Sequence, residues 1–173
     1  MNFAQARDLV RRHDILYRAD YKFDRGELII ISDHSHLKCV VFGHRQALRH
    51  EFEACCDNVM VQPLEKALTF FAAYFSNRSS TLPPVDLESY TYAERKVYTT
   101  LVSIPIGQTI SYGELARLSG YPGGARFVGN TMEKNMFPIV IPCHRVTRSD
   151  GSTGNYSSGL MMKRYLLQHE SSA

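Results

Sequence analysis

The string Pro142-Cys143-His144-Arg145 combines a nucleophile, a base and a cation at the end of an apolar stretch. A cysteine sulfur attacks as the thiolate, and neighbouring cations favour the thiolate over the thiol. Reactive groups are commonly exposed at strand ends and loops. Consecutive side chains of an extended segment point to opposite faces, so His144 reaches the sulfur only across a turn or through a water. Taken alone, the string also fits a buried structural thiol.

Helices separated by tight turns are predicted to position this cysteine. Capping-box patterns, Thr-Tyr-Ala-Glu at 91–94 and Ser-Tyr-Gly-Glu at 111–114, predict two helix starts. Glycine and proline end the second helix, and 125–135 is predicted to form another. Two short helices across a glycine-bearing turn are typical of a helix-turn-helix. A buried strand over 139–141 is expected to lead into Cys143, and a glycine-rich loop is expected to precede a last helix.

The first half of the chain predicts a small α/β unit. Short β-branched or aromatic runs at 16–21, 27–32 and 37–43, separated by turn residues, predict a three-stranded meander. Apolar residues at helical spacing predict a helix over 62–77, with a proline suited to its first turn. The predicted core face of that helix carries Leu64, Leu68, Phe71 and Phe75.

The Pro- and Ser-containing stretch 77–86 reads as a linker between two domains. We therefore predict an α/β N-terminal domain over 1–85, linker included. A mostly helical C-terminal domain with a helix-turn-helix is predicted over 86–173.

The composition is that of an ordinary globular protein. With 44% hydrophobic and 21% charged residues in 173, it excludes disordered, collagen-like and coiled-coil chains. No apolar run approaches the roughly 20 residues that span a bilayer, and the first residues do not read as a signal peptide. We expect a cytoplasmic protein, nuclear in a eukaryote, with four reduced cysteines and no membrane partner. The net charge of +3 permits nucleic-acid binding without indicating it.

The second half closely resembles the O6-alkylguanine-DNA alkyltransferases, also called methylated-DNA–protein-cysteine methyltransferases. The resemblance runs from about residue 90 to 170 and rests on SYGELA, ARFVGNTMEKN, IPCHRV and GNYSSGLMMKRYLLQHE. It implies direct-reversal DNA repair by a monomer bound in the minor groove. O6-alkylguanine, and also O4-alkylthymine, is flipped out of the duplex, and its alkyl group passes irreversibly to the protein's own cysteine in a single turnover. The first half matches the family only in length and order of elements; in the family it is a ribonuclease-H-like α/β domain.

Five residues receive catalytic roles from this resemblance. Cys143 is the alkyl acceptor, His144 is a base acting through water, and Glu170 orients and charges that histidine. Asn135 braces the turn between the recognition helix and the active site. Tyr112 contacts the guanine and helps to rotate the target phosphate.

The resemblance also assigns the contacts with DNA and with the flipped base. Arg126 is the finger that enters the base stack in place of the extruded nucleotide, and Phe127 lies on or beside the helix face that enters the groove. The pocket for the flipped base is formed by Val146, Tyr156 and Ser157, with Lys163 near the thiol.

The sequence departs from the family pattern on the recognition helix and just after it. The family usually has small residues, a basic residue or a proline at positions that here carry Phe127, Asn130, Glu133 and Met136. Each departure can alter DNA affinity or damage preference, but none touches the thiol chemistry.

A structural zinc is the metal site to consider, since some family members bind one through N-terminal ligands. The first half holds the soft or borderline ligands His34, His36, Cys39, His44, His50, Cys55 and Cys56. Their spacing fits no tetrahedral motif, so we expect no metal and no cofactor.

Two functions from other classes are the alternatives. A non-catalytic alkyltransferase-like protein would bind the flipped lesion and recruit repair factors, but such proteins lack the cysteine that stands here at 143. A helix-turn-helix regulator would present a basic, polar recognition helix. The segment ARFVGNTMEKN has few side chains that read bases. The mass of the protein after incubation with methylated DNA separates these alternatives.

Overall fold

The computed structural model describes residues 3–12, 15–44 and 46–172. Residues 1, 2, 13 and 14 lie outside this range. They belong to the N-terminal segment for which no signal peptide is expected. The chain forms two compact units, Met1–Asp86 and Leu87–Ala173. Within the described ranges, no helix is both long enough and apolar enough to cross a membrane.

The first unit combines a small antiparallel sheet with three helices among its described residues. Its elements are α1 (Phe3–Arg12), β1 (Tyr17–Phe23), β2 (Gly26–Ser32), β3 (Leu37–Phe42), α2 (Gln46–Cys55) and α3 (Gln62–Phe75). The strands follow the order β1-β2-β3, which confirms the predicted meander. Gly26 follows the turn between β1 and β2 directly and has a φ of 146°. Glycine adopts this backbone conformation at little energetic cost because it has no Cβ. The helices α1 and α2 were not predicted.

The core of the first unit lies between its sheet and α3. Strand β2 is buried on both faces from Leu28 to Ile31. Helix α3 buries Leu64 and Phe71 as predicted, whereas Leu68 is only half-buried. The half-buried Phe75 stacks its ring on that of Phe23 at a centroid distance of 4.6 Å.

The second unit is mostly helical. Its elements are α4 (Tyr92–Val102), β4 (Ile110–Ser111), α5 (Tyr112–Leu118), α6 (Ala125–Lys134), a 3₁₀ helix (Cys143–Arg145), β5 (Val146–Thr147) and α7 (Leu160–Ser171). The capping box before α4 is complete. Only half of the second box forms, because Ser111 accepts from the Glu114 amide while the Glu114 carboxylate pairs with Arg117.

The prediction of a strand over 139–141 is wrong. Ile139 takes a φ of 73°, and the Ile141 amide donates to the Phe137 carbonyl at 2.8 Å, so the segment is a buried tight turn. The Asn135 side chain satisfies the turn by accepting from the Phe137 amide and donating to the Ile141 carbonyl, each at 2.9 Å. The strand β5 instead follows the cysteine and pairs in parallel with β4.

Candidate active site

The Cys143 thiol is the first side chain of the 3₁₀ helix and is only 7% exposed. Nδ2 of Asn135 donates to its sulfur at 3.0 Å. Because Asn135 is also the residue at the C-terminal end of α6, one side chain connects that helix, the buried turn and the Cys143 sulfur. Asn135, which was predicted to brace this turn, therefore also contacts the sulfur directly.

A buried ionic cluster lies beside the thiol on the same 3₁₀ helix. Nε2 of His144 lies 2.6 Å from Oε1 of Glu170. Arg145 donates to both oxygens of that carboxylate, from Nε at 2.8 Å and from Nη2 at 2.9 Å. Its Nη1 donates to the Ile104 carbonyl at 2.6 Å. The turn of the 3₁₀ helix therefore presents His144 and Arg145 together to one carboxylate on α7.

The cluster favours the deprotonated form of two of its members, Glu170 and His144. Burial by itself would raise the pKa of Glu170, but hydrogen bonds and charges from His144 and Arg145 lower that pKa far below its usual range, so the group is a carboxylate. Burial lowers the pKa of His144 despite the opposing influence of Glu170. Nδ1 of His144 is buried and has no hydrogen-bond partner among the described residues. A neutral His144 held at Nε2 leaves Nδ1 as a proton acceptor.

The thiol itself is not pre-ionised, contrary to the expectation drawn from its cationic neighbours. Burial raises the pKa of Cys143, while the Asn135 hydrogen bond, the Lys163 charge and a hydrogen bond from Tyr156 act in the opposite direction. The resting group is accordingly a thiol at neutral pH. Attack requires a base that removes the proton during the reaction.

Lys163 is a fully buried lysine that no carboxylate neutralises among the described residues. Its Nζ donates to the Val146 carbonyl at 2.6 Å and to the Thr153 carbonyl. Burial lowers the pKa of Lys163 to about 8, and a negative charge on the Cys143 sulfur, when that group is ionised, acts in the opposite direction. Lys163 therefore holds β5 and the glycine-rich loop against α7 and places a cation near the sulfur.

Tyr112 occupies the first turn of α5 and faces the same region. Burial raises its pKa, and a thiolate at Cys143 raises it further, so the Tyr112 hydroxyl keeps its proton. A Cβ at Gly154, where φ is 64°, would lie 3.2 Å from this hydroxyl oxygen. Both the backbone conformation and the nearby hydroxyl therefore favour glycine where the loop passes Tyr112.

The remaining predicted residues range from fully buried to exposed. Val146 is fully buried, Tyr156 is half-buried and Ser157 is exposed. Arg126 is exposed at the second position of α6. The half-buried Phe127 packs its ring edge against Tyr121 at a centroid distance of 5.6 Å.

The predicted DNA contacts lie at the N-terminal end of α6, whereas the thiol lies near its C-terminal end. Arg126 precedes Asn135 by nine residues, which is about 13 Å along a helix axis. The structure therefore gathers Cys143, His144, Glu170, Asn135 and Lys163 but leaves Arg126 and Phe127 at the other end of α6. Of the departures from the family pattern, Asn130 and Glu133 are exposed and Met136 is half-buried.

Sequence reasoning missed two residues that hold this site. Arg145 lay within the recognised string, but its bidentate pairing with Glu170 joins residues 25 positions apart. The Tyr90 hydroxyl donates to the Lys134 carbonyl at 3.1 Å and accepts from the Met136 amide at 3.2 Å, so it clasps the backbone on both sides of Asn135. No local signal identifies such partners.

Within residues 3–12, 15–44 and 46–172, no group of three or more His, Cys, Asp or Glu side chains is arranged to hold a metal ion. The sulfurs of Cys55 and Cys56 lie 3.7 Å apart and hydrogen-bond to each other.

Comparisons with known proteins cover both units of the chain. Residues 93–172 match the family model described as 6-O-methylguanine DNA methyltransferase, DNA binding domain. The crystal structure of the Mycobacterium tuberculosis O6-methylguanine methyltransferase aligns with a TM-score of 0.76 and 28% identity over 91% of this chain and 94% of that chain. The structure of Mycobacterium tuberculosis OGT in complex with DNA aligns with a TM-score of 0.74 and 30% identity over 91% and 92% of the two chains. The chain belongs to the O6-methylguanine methyltransferase family. Its small antiparallel sheet with surrounding helices matches the family structures.

Curated relatives agree with this membership. The chain is 39% identical over 118 residues to the human methylated-DNA–protein-cysteine methyltransferase, covering 63% of this chain and 56% of that protein. The mouse protein of the same name is 38% identical over 117 residues, with the same coverage. The chain thus spans little more than half the length of these curated family members.

Proposed function

We propose that this chain repairs DNA by direct reversal, transferring an alkyl group from O6 of guanine, or O4 of thymine, to the sulfur of Cys143. The observation that carries the proposal is the contact of the Asn135 amide with that sulfur, next to a buried His144–Glu170 pair. A nucleophile, a base and an orienting carboxylate are the three groups that such a transfer needs. The family membership supports the same reaction.

The thiol proton leaves toward His144. The Nδ1 atom, which has no hydrogen-bond partner among the described residues, accepts the proton through a bridging water, while Glu170 holds the Nε2 hydrogen and stabilises the imidazolium. The sulfur then forms a bond to the alkyl carbon, the carbon–O6 bond breaks, and its electron pair stays on the guanine. Tyr112, whose pKa is raised, donates a hydrogen bond to the departing base. The product is a thioether, which water and thiols do not readily cleave, so each molecule reacts once.

The second unit also supplies the DNA contacts in this proposal. Helices α5 and α6 act as a helix-turn-helix that docks in the minor groove, with Phe127 on or beside the docking face. Arg126 fills the stack after the damaged nucleotide is flipped out, which offsets part of the few kcal/mol that flipping costs. The flipped base occupies a pocket formed by Val146, Tyr156 and Ser157. The protein acts as a monomer and needs no cofactor.

The domain assignment and the location in the cell belong to the same proposal. Residues 1–85 form a ribonuclease-H-like domain, and residues 86–173 carry the DNA-binding and acceptor functions. The protein works in the cytoplasm, or in the nucleus of a eukaryote. A non-catalytic lesion-binding protein is the less favoured alternative, because Cys143 is present and contacted by Asn135.

Intact-mass measurement tests the proposal directly. The protein is incubated with a duplex that contains O6-methylguanine and, in parallel, with the same duplex unmethylated. We expect a gain of one methyl group with the lesion only, and peptide mapping places it on Cys143. An unchanged mass, or a methyl group on Cys39, Cys55 or Cys56, contradicts the proposal.

A further inference from the structure

A groove of about 550 Å³ lies in the second unit between α4 and the C-terminal end of α5. One wall is a face of α4 and the other is the end of α5 with the turn that leads to α6. Its lining residues are Tyr92, Arg95, Lys96, Thr99, Thr100, Leu118, Ser119 and Gly120. None of them belongs to the thiol site or to the predicted DNA contacts.

The groove carries two cations whose charges are not neutralised locally. Of the basic side chains in the second unit, Arg145 and Lys163 are buried at the thiol site, and the exposed Arg126, Arg148 and Arg164 do not line the groove. Arg117 and Lys134 form ion pairs with Glu114 and Glu94. Arg95 and Lys96 are exposed, line the groove side by side, and form no ion pair within the described part of the chain. Lys96 Nζ instead lies 5.3 Å from the centre of the Tyr92 ring.

The surface of the groove is partly polar and partly apolar. Ser119 is 5% exposed, and its hydroxyl has no hydrogen-bond partner among the described residues. Tyr92 and Leu118 are 68% and 49% exposed and supply apolar walls. The two exposed cations suit phosphate oxygens, and apolar walls suit the sugar edges between phosphates.

We propose that this groove, formed by α4 and the end of α5, binds the phosphodiester backbone of the DNA that flanks the lesion. The inference rests on the proposed function, because the groove includes the end of α5 and the turn between the two helices expected to dock DNA. Arg95 and Lys96 neutralise one or two phosphates there. The groove therefore adds affinity that is independent of base sequence and of damage.

Charge-removing variants test the groove. Arg95→Gln and Lys96→Gln, singly and together, are compared with Arg117→Gln, which removes an exposed charge already paired with Glu114. The affinity for an undamaged duplex is measured over a range of salt concentrations. Each lost phosphate contact reduces the magnitude of the slope of log affinity against log salt concentration by about 0.9. The double variant should therefore lose about one to two units of slope and bind about tenfold more weakly at low salt. Arg117→Gln should keep the wild-type slope.

Two further measurements separate the groove from the chemistry. The rate with free O6-benzylguanine should be unchanged in the groove variants, and the charge-preserving pair Arg95→Lys with Lys96→Arg should restore the salt slope. An unchanged slope in the double variant overturns the groove proposal, including the case in which the groove binds an acidic peptide instead. A wild-type protein that gains no methyl group from the O6-methylguanine duplex overturns the proposed function, whatever the salt slopes are.

Discussion

The buried thiols of the two units differ in what surrounds them. Burial raises the pKa of Cys39 well above its ordinary value, and the neighbouring thiols Cys56 and Cys55 raise it further. Burial raises the pKa of Cys143 as well, but Asn135 and the nearby cation of Lys163 favour its thiolate. Burial alone makes a cysteine inert, and the surrounding groups decide whether it can react.

The buried lysines show the same contrast. Lys38 in the first unit contacts two carboxylates, Asp33 at 2.7 Å and Asp86 at 2.6 Å; although burial acts in the opposite direction, these contacts raise its pKa. Lys163 in the second unit donates to backbone carbonyls, and burial lowers its pKa to about 8. A paired charge serves the fold, whereas an incompletely compensated charge beside a nucleophile is typical of a functional site.

The largest expected effect separates the thiols. Cys143→Ser should show no measurable reaction with free O6-benzylguanine, because an alcohol at this position is a far weaker nucleophile than a thiolate near neutral pH. The rate is followed by intact mass. Cys55→Ser, an exposed thiol of the first unit, serves as the control and should react at the wild-type rate. Residual transfer by the Cys143 variant would place the nucleophile elsewhere.

The second effect concerns the buried carboxylate. Glu170→Gln should slow the reaction with benzylguanine by about 100-fold, because His144 loses the anion that stabilises its protonated form. Glu170 raises the pKa of His144 against the lowering effect of burial. Removing the carboxylate therefore lowers that pKa further and moves the acid limb of the pH–rate profile to lower pH.

The same change leaves Arg145 without its carboxylate and should destabilise the protein by about 3–5 kcal/mol. Glu94→Gln removes another buried carboxylate, the partner of Lys134, and controls for stability. It should leave the pH–rate profile unshifted. A Glu170 variant whose acid limb keeps its wild-type position would show that the carboxylate only supports the fold.

A smaller effect is expected from the clasp around Asn135. Tyr90→Phe removes both hydrogen bonds of the clasp. It should slow the reaction with benzylguanine by about 2–10-fold, because the Asn135 amide loses its fixed position on the sulfur. Tyr98→Phe removes a comparable hydrogen bond, from its hydroxyl to the Thr131 carbonyl at 2.7 Å. The Tyr98 variant should lose a similar free energy of unfolding in chemical denaturation, but its reaction with benzylguanine should slow less. Equal rates for the two variants would assign Tyr90 to the fold alone.

The smallest effect concerns the paired lysine of the first unit. Although burial acts to raise the pKa of Asp33, hydrogen bonds from Lys38 and from backbone amides lower it from 3.8 to about 2. The stability this provides is present above pH 4 and is lost as the pH falls toward 2; it amounts to about 1–2 kcal/mol. Asp33→Asn should lower the free energy of unfolding at pH 6 and flatten its decline between pH 4 and 2. The control Asp8→Asn removes an exposed ion pair with Arg12 and should change the free energy of unfolding at pH 6 by at most about 0.5 kcal/mol. A decline unchanged by Asp33→Asn would exclude the Asp33–Lys38 ion pair as its source.

The sequence alone predicted the local elements of both units. The meander, the helix starting at Gln62 and the complete capping box at Thr91 depend on periodicity and turn chemistry within a few residues. The string around Cys143, taken alone, left a structural thiol open, and the family resemblance assigned it the role of alkyl acceptor. The prediction of a strand at Ile139 was wrong, because a short apolar run suits a buried strand and a buried turn equally well. The hydrogen bonds of the Asn135 side chain stabilise the turn.

Only the tertiary structure decided how these elements act on one another. The contacts of Glu170 with Arg145, and of Tyr90 with the backbone beside Asn135, join residues 25 and more than 40 positions apart, which no local pattern encodes. The protonation states were likewise beyond the sequence, since neighbouring cations in the string favour a thiolate while burial restores the thiol. A pKa depends on solvent exclusion and on the distances to charges, and both exist only after the chain has folded.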